Sequence, residues 1–425
     1  MIIYALIPMN KLHASYYYRQ LVPLQTMERL GLPVQVIIDP CTSDVPMERR
    51  RDGLIWSDIV WMYQATDPLM RHNIQVIKKT KAQMGEDEKL WYPANFVVDT
   101  DDNLFDVAPS NWAFKTMGVK NEDGSYLMPG GKVPARGDGR SDDYEWVDGE
   151  NDFNIARNIT TLEDYRSLCQ TAGTMTCSTP ATERMVKREM GDDLHTFVNP
   201  NSVRFDHYQD VALAPHKGIR ILWQGSNTHY DDLFAMQPVL KRVAAKYPEA
   251  TFIFWGVNKG PVMEGIPDSQ LEIIPWMSYD AYHLRLVTVG PDINLCPLLP
   301  NRFNECRSGI KFYEGSLLHD PAATIAQRAG AYPDEIEHGK TGLLYDTEEE
   351  LEAHLCNLIE NEKTRRELAT NAKDWVHENR DAFKIAPKLF EFFNEVRARK
   401  RLTTEIEVKD APVPTIEPDV RPSED

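Results

Sequence analysis

The stretch from Asn294 to Asp346 (NLCPLLPNRFNECRSGIKFYEGSLLHDPAATIAQRAGAYPDEIEHGKTGLLYD) constrains the fold more than any other. Asp292 to Leu299 is a short apolar run of β-formers and predicts a buried strand. A polar loop with Pro300, Asn301 and Asn304 follows. From Ser308 to Leu318 the apolar residues Ile310, Phe312, Tyr313, Leu317 and Leu318 fall near helical spacing, which predicts a helix. Pro321 to Ala326 then predicts the next buried strand. Strand, loop, helix, strand is the parallel α/β unit, and open α/β sheets bind ligands where the loop leaves the strand's carboxyl end for a helix amino end.

The same alternation runs through the chain. Met1–Pro8, Val34–Ile38, Asp58–Tyr63 and Phe96–Asp99 predict strands. His13–Leu30, stopped by Gly31, and Asp67–Gln83, opened by Pro68, predict helices. From about Asp106 to Asp152 the pattern breaks into Gly, Asp, Asn and Pro among scattered aromatics, which predicts an ordered flap inserted into the first domain. Helices at Thr161–Ala172 and Pro180–Met190, with strands at Thr174–Ser178 and His195–Val198, complete that half. A second half restarts with the strand Ile219–Trp223, a Gly225–His229 turn and a helix over Asp231–Tyr247. Strands at Thr251–Trp255, Leu271–Ile274 and Ile293–Leu298 and helices over Glu348–Glu360, Lys363–Glu378 and Ala382–Lys400 follow. The expected division is 1–214 with the insertion 106–152, then 215–381, a helix over 382–401, and an acidic, Pro-rich tail over 402–425 expected to be disordered.

Net charge is −18 with a pI near 5.1, which argues against a broad nonspecific nucleic-acid surface but leaves room for a local basic cleft. The six cysteines lack C-x-x-C spacing and read as reduced thiols of a cytoplasmic protein. No apolar run approaches the length of a membrane span, and the amino-terminal segment has no basic n-region, so it reads as a strand rather than a signal peptide. Gly339-Lys340-Thr341 is not a phosphate-binding loop: the glycine that loop requires five positions earlier is Asp334.

Several residues suit anion and sugar chemistry. Small residues at Gly225-Ser226 let backbone N–H groups approach a diphosphate, although capping by Thr228 and Asp231 would use the same pattern. Lys311 and Glu314 share a helix face; a lysine there can neutralise a leaving diphosphate and a glutamate can accept two ribose hydroxyls, although an exposed i,i+3 pair has the same spacing. Asp99, Asp101 and Asp102 end a strand at the expected ligand face and suit acceptor hydroxyls or a divalent ion, or a solvated turn. Arg19 on the first helix is a candidate to reach a diphosphate across a cleft, and His13 precedes it.

The run Pro297-Leu298, Phe303-Asn304, Arg307-Ser308, Lys311, Glu314, Tyr332 and His338-Gly339 through Gly342-Leu343-Leu344 resembles the donor-binding half of GT-B glycosyltransferases, in particular the retaining GT4-like group. Gly225, Ser226 and His229, followed by Asp231 or Asp232, resemble its diphosphate turn, and Asp99-Thr100-Asp101-Asp102 resembles a recurring first-domain sequence. The resemblance implies an α/β fold of GT-B architecture, two Rossmann-like domains facing across a cleft, with the last helix crossing back to the first. It implies transfer of a sugar from a nucleotide-sugar donor, with no metal or other cofactor, to an acceptor that the sequence does not name. Lys311, Glu314, Arg19 and Asp101 would be catalytic. Gly225, Ser226, His229, Asn304, Arg307, Ser308, Lys311, Glu314 and Tyr332 would hold the donor; His13, Asp99 and Asp102 would hold the acceptor. Two features depart from the group. The position eight before Glu314, usually glutamate, is Cys306, and no Arg–Lys pair follows the first strand of the second half. The alternatives are the same transfer onto hydroxymethylated DNA bases, with a basic groove near Arg49, Arg50 and Arg51 or the insertion; a non-catalytic nucleotide-sugar-binding protein; and a sugar-nucleotide epimerase.

Overall fold

Two parallel six-stranded sheets organise the computed structural model, which describes residues 1–7, 14–40, 47–64, 71–78, 95–121, 123–134, 145–207 and 216–399. In chain order the strands are β1 (Ile2–Leu6), β2 (Gln35–Asp39), β3 (Ile59–Tyr63), β4 (Asn95–Thr100), β5 (Lys132–Pro134), β6 (Glu145–Val147), β7 (Thr174–Cys177), β8 (His195–Val198), β9 (Ile219–Gln224), β10 (Ala250–Trp255), β11 (Leu271–Ile274), β12 (Ile293–Cys296), β13 (Ala323–Gln327) and β14 (Leu343–Tyr345). The first sheet has the order β2-β1-β3-β4-β7-β8, the second β11-β10-β9-β12-β13-β14. Their central strands are apolar on both faces because helices cover both, as parallel sheets require.

The second sheet reverses direction of winding between β9 and β12, which are neighbours with Ile293 opposite Ile221. The segments leaving the carboxyl ends of these two strands therefore diverge and leave a crevice, the usual ligand position in such sheets. Gly225 follows β9, and the loop to Arg307 follows β12.

Three local expectations are corrected. The expected helix over Asp231–Tyr247 is divided into a 3₁₀ turn (Asn227–His229), a five-residue helix (Tyr230–Phe234) and a helix over Gln237–Lys246, because Pro238 supplies no N–H and opens a new helix. The cap expected from Thr228 is not formed; Ser226 and Thr228 hydroxyls bond each other at 2.7 Å. A helix absent from the sequence reading, Met47–Trp56, joins β2 to β3, its periodicity hidden by Arg49-Arg50-Arg51 and Gly53. The first helix forms despite Pro23 by widening into a π turn over Tyr17–Leu21, where the Val22 N–H reaches the Tyr17 carbonyl.

The last helix, Ala382–Ala398, buries Ala386, Leu389, Phe392, Phe393 and Val396 against Ile3, Ala5, Ile7 and Trp61 of the first sheet. It thus ties the carboxyl-terminal end of the described chain to the amino-terminal domain. The insertion carries its own core. Val107, Phe114, Leu127, Trp146, Phe153 and Ile155 cluster over the antiparallel β5–β6 ribbon, and Phe303 of the second domain is packed among them. His13 and 402–425 lie outside the described residues.

Candidate functional site

The chain folds a small hollow of about 200 Å³ at the switch point of the second sheet. Gly225, Ser226, His229, Arg307, Lys311 and Glu314 all line it, with Ala14 and Ser15 of the first domain closing the opposite side. Two glycines shape its floor. A Cβ on Gly225 would stand 2.8 Å from the buried Trp223 ring. A Cβ on Gly256, which has φ +92°, would stand 2.0 Å from the Gly225 carbonyl oxygen. Only glycine fits at either place without movement of the backbone or the indole.

Lys311 and Glu314 lie on the buried helix Ile310–Leu317. Lys311 is 8% exposed, and its ammonium has no hydrogen-bond or ion-pair partner among the described residues; it lies 5.9 Å from the Trp223 ring centroid. Burial lowers its pKa against the pull of the Asp232 and Glu314 charges, and the Arg307 charge adds to the lowering. Glu314 accepts from the Tyr18 hydroxyl at 2.7 Å and from Gln224 Nε2 at 2.8 Å, and Tyr282 donates to Gln224 Oε1 at 2.7 Å. Burial pushes the Glu314 carboxyl up to about 7, against the pull of those hydrogen bonds and of Lys311.

His229 Nδ1 is 2.9 Å from Asp232. Burial and the neighbouring Lys311 charge drop its pKa to about 4, so the ring is neutral near pH 7 and donates to Asp232 through Nδ1. Asp232 also accepts from the Leu299 N–H at 2.8 Å and Asn304 Nδ2 at 3.1 Å. It therefore couples the turn after β9 to the loop after β12. Sequence reasoning left Asp231 and Asp232 undivided; the burial of Asp232 on the inner face separates them.

The loop 302–308 is held from across the cleft. Arg307 pairs with Asp102 at 2.9 Å. Burial pushes Asp102 up to about 6 despite that pairing. Asn201 Nδ2 donates to the Ser308 hydroxyl at 2.7 Å, the Thr182 hydroxyl donates to the Cys306 carbonyl at 3.1 Å, and Asn103 Nδ2 donates to the Arg302 carbonyl at 3.1 Å.

Other sequence candidates lie elsewhere. Arg19, expected to reach a diphosphate, is fully buried and chelated by Asp99, with the Asn199 carbonyl and Asn201 taking its remaining donors. Asp99, expected at the acceptor face, is fully buried by that pairing and also accepts from Thr176 at 2.5 Å. Its strand is central in the sheet, which turns the carboxylate inward. Asp101 accepts from Tyr63 at 2.5 Å and from Gln64 Nε2 at 3.0 Å. Tyr332 is buried in the second core, and burial raises its hydroxyl pKa. Asn304 is a buried strut to Asp232 and the Leu299 carbonyl. Glu305 faces a different cavity, and Cys306 is a buried thiol whose pKa burial raises to about 12. Arg50, named for a basic groove, pairs with Asp39 at 2.7 Å; the side chains of Arg49 and Arg51 lie outside the described residues. Gln224, Tyr282, Trp276 and Met277 border the hollow, and Tyr18 reaches its Glu314, without having been singled out in the sequence. Only the topology brings them there.

Neither a family model nor a curated protein matches the chain. Solved structures do. A glycosyltransferase from Rickettsia africae has a TM-score of 0.57 at 14% identity, covering 94% of this chain and 99% of that one. HepE of Anabaena, solved with UDP and glucose, has 0.56 at 14%, covering 93% and 100%. Sucrose-phosphate synthase of Thermosynechococcus elongatus has 0.55 at 12%, covering 93% and 99%. Among the described residues, no helix is long and apolar enough to cross a membrane. With its two six-stranded parallel sheets closed over an inter-domain hollow, the chain has the GT-B fold.

Proposed function

We propose that this protein is a retaining glycosyltransferase of the GT4-like kind, taking its sugar from a nucleotide diphosphate donor. The observation that carries this reading is the ammonium of Lys311, which lines the hollow beside the Gly225-Ser226 turn without a hydrogen-bond or ion-pair partner among the described residues. A lysine that lines the hollow with no direct partner among the described residues keeps its donors for a ligand, and a diphosphate is the ligand that would take them. Glu314 would accept the ribose hydroxyls in place of Tyr18 and Gln224. Structures of HepE hold UDP and UDP-glucose, which favours a uridine nucleotide.

In the reaction, the bond from the anomeric carbon to the departing phosphate oxygen breaks. A bond to the acceptor oxygen forms on the same face, and the acceptor proton passes to the departing phosphate. Lys311 stabilises the charge that develops on that phosphate. Closure by Arg307–Asp102 and the Phe303 clasp keeps water from the donor. Asp102, paired with Arg307 of the hollow's wall, is the first-domain carboxylate that would meet an acceptor. The five described cysteines are unpaired thiols, which supports a reducing, cytoplasmic setting.

The test is slow hydrolysis of UDP-glucose followed by released glucose. Wild-type turnover lost in both Lys311→Ala and Glu314→Ala supports catalysis. UDP binding without any donor turnover would favour a binding protein, a reading motivated by Cys306 at the usual glutamate position.

A further inference from the structure

A second, larger cavity of about 710 Å³ lies on the other side of the loop 302–307 from the hollow. The first domain, the loop and the start of the last helix all contribute to it. Its walls carry six cations: Arg184, Arg188, Arg302, Arg380, Lys384 and Lys388. The same walls carry four carboxylates, Glu305, Asp334, Glu335 and Glu378, so the lining stays net positive in a chain of net charge −18. Three of the cations are neutralised locally. Arg188 pairs with Asp106 at 2.8 Å, Arg380 with Glu335 at 2.8 Å, and Lys384 with Glu378.

The other three are not. Arg184 and Lys388 have no ion-pair partner among the described residues, and both are exposed. Arg302 has only a loose approach of 3.8 Å to Asp106, which Arg188 already engages. The amino end of the 11-residue helix Pro180–Met190 lines the same wall. Pro180 has no N–H, and Thr179 satisfies Thr182, which leaves the Ala181 N–H without a partner among the described residues. Cations and a helix amino end together favour a dianion such as phosphate. Two acids without an ion-pair partner among the described residues, Glu305 and Asp334, share the cavity. They would repel a bare anion but accept hydrogen bonds from hydroxyls.

From this pattern we infer that the crevice is a binding site for a phosphorylated sugar or polyol, its phosphate on Arg184, Lys388 and Arg302 and its hydroxyls toward Glu305 and Asp334. The inference deepens the reading above and rests on it only where the ligand is taken as the sugar acceptor; an effector of the same chemistry would use the same contacts.

Calorimetry on the full chain separates these cases. UDP is titrated first, so that failure of the donor hollow is seen by itself. With UDP saturating, glucose 6-phosphate, fructose 6-phosphate and glycerol 3-phosphate are the probes, with glucose and inorganic phosphate as controls. At least one phosphorylated probe binds with 1:1 stoichiometry and glucose does not. The double variant Arg184→Gln/Lys388→Gln weakens that binding by about tenfold or more while leaving UDP affinity unchanged. If no phosphorylated probe binds a protein that binds UDP, or the double variant binds it equally well, the site does not exist as described. Incubation of the bound probe with UDP-glucose then identifies its role. A mass gain of one hexose marks an acceptor, and an unaltered mass marks an effector.

Discussion

The Tyr18 hydroxyl donates to Glu314 Oε1 at 2.7 Å, joining the first helix of one domain to the site-facing helix of the other. The contact occupies the carboxylate proposed for the ribose. The hollow beneath it, about 200 Å³, is also below the ~300–1,000 Å³ of ordinary ligand pockets. A nucleotide sugar therefore has to displace Tyr18 and part the domains. Tyr18→Phe removes the competitor and is expected to tighten UDP binding about three- to tenfold at pH 8.5, consistent with the ~1.5–3 kcal/mol of a hydrogen bond to a charged group less the reorganisation shared by both proteins. Calorimetry checks this; weaker binding would assign the hydroxyl to the ligand instead.

The Glu314 carboxyl gives a stability signature with a definite sign. Its folded value of about 7 lies above the ordinary 4.5. The folded chain thus keeps a proton that the unfolded chain has released, and stability falls as pH rises from about 4.5 to 7. The loss is on the order of 3 kcal/mol. Glu314→Gln is expected to flatten this part of the profile, so that the variant gains on the wild type between pH 5 and 8, a comparison made by urea denaturation at each pH. A parallel pair of profiles would contradict it.

Phe303 is the second domain's plug in the aromatic core of the insertion, packed with Phe114, Trp146 and Phe153. Phe303→Ala is expected to cost about 3–5 kcal/mol if the clasp is part of the global fold. It is also expected to weaken UDP binding, because Asn304 and Arg307 follow it in the loop. Thermal denaturation and limited proteolysis of the insertion report both effects.

Gly225→Ala brings a Cβ to 2.8 Å from the buried Trp223 ring. The overpacking is expected to cost about 1–3 kcal/mol. The larger effect is on UDP affinity, through displacement of the turn; a thermal-shift series with UDP reads both.

The parallel strands and the loop–helix unit after β12 were readable because their apolar runs are short, uninterrupted and bounded by turn residues. Lys311 and Glu314 were readable for the same reason, as three-residue spacing on a helix fixes a shared face. Arg19 was not. Nothing local says that a helical arginine beside three tyrosines turns inward to Asp99, since that depends on a π turn around Pro23 and on a carboxylate 80 residues away. The contribution of Tyr18, Gln224 and Tyr282 depends likewise on which strands become neighbours. The clasp was half legible: the aromatics implied an ordered insertion, but Phe303 as their partner lies about 150 residues further along the chain.

The central claim is that Lys311 seats a diphosphate. Its most direct test compares UDP with uridine on wild type and Lys311→Met. The claim predicts that the variant loses about a hundredfold or more in UDP affinity while its uridine affinity stays within about twofold. Equal affinity of both proteins for UDP would contradict it.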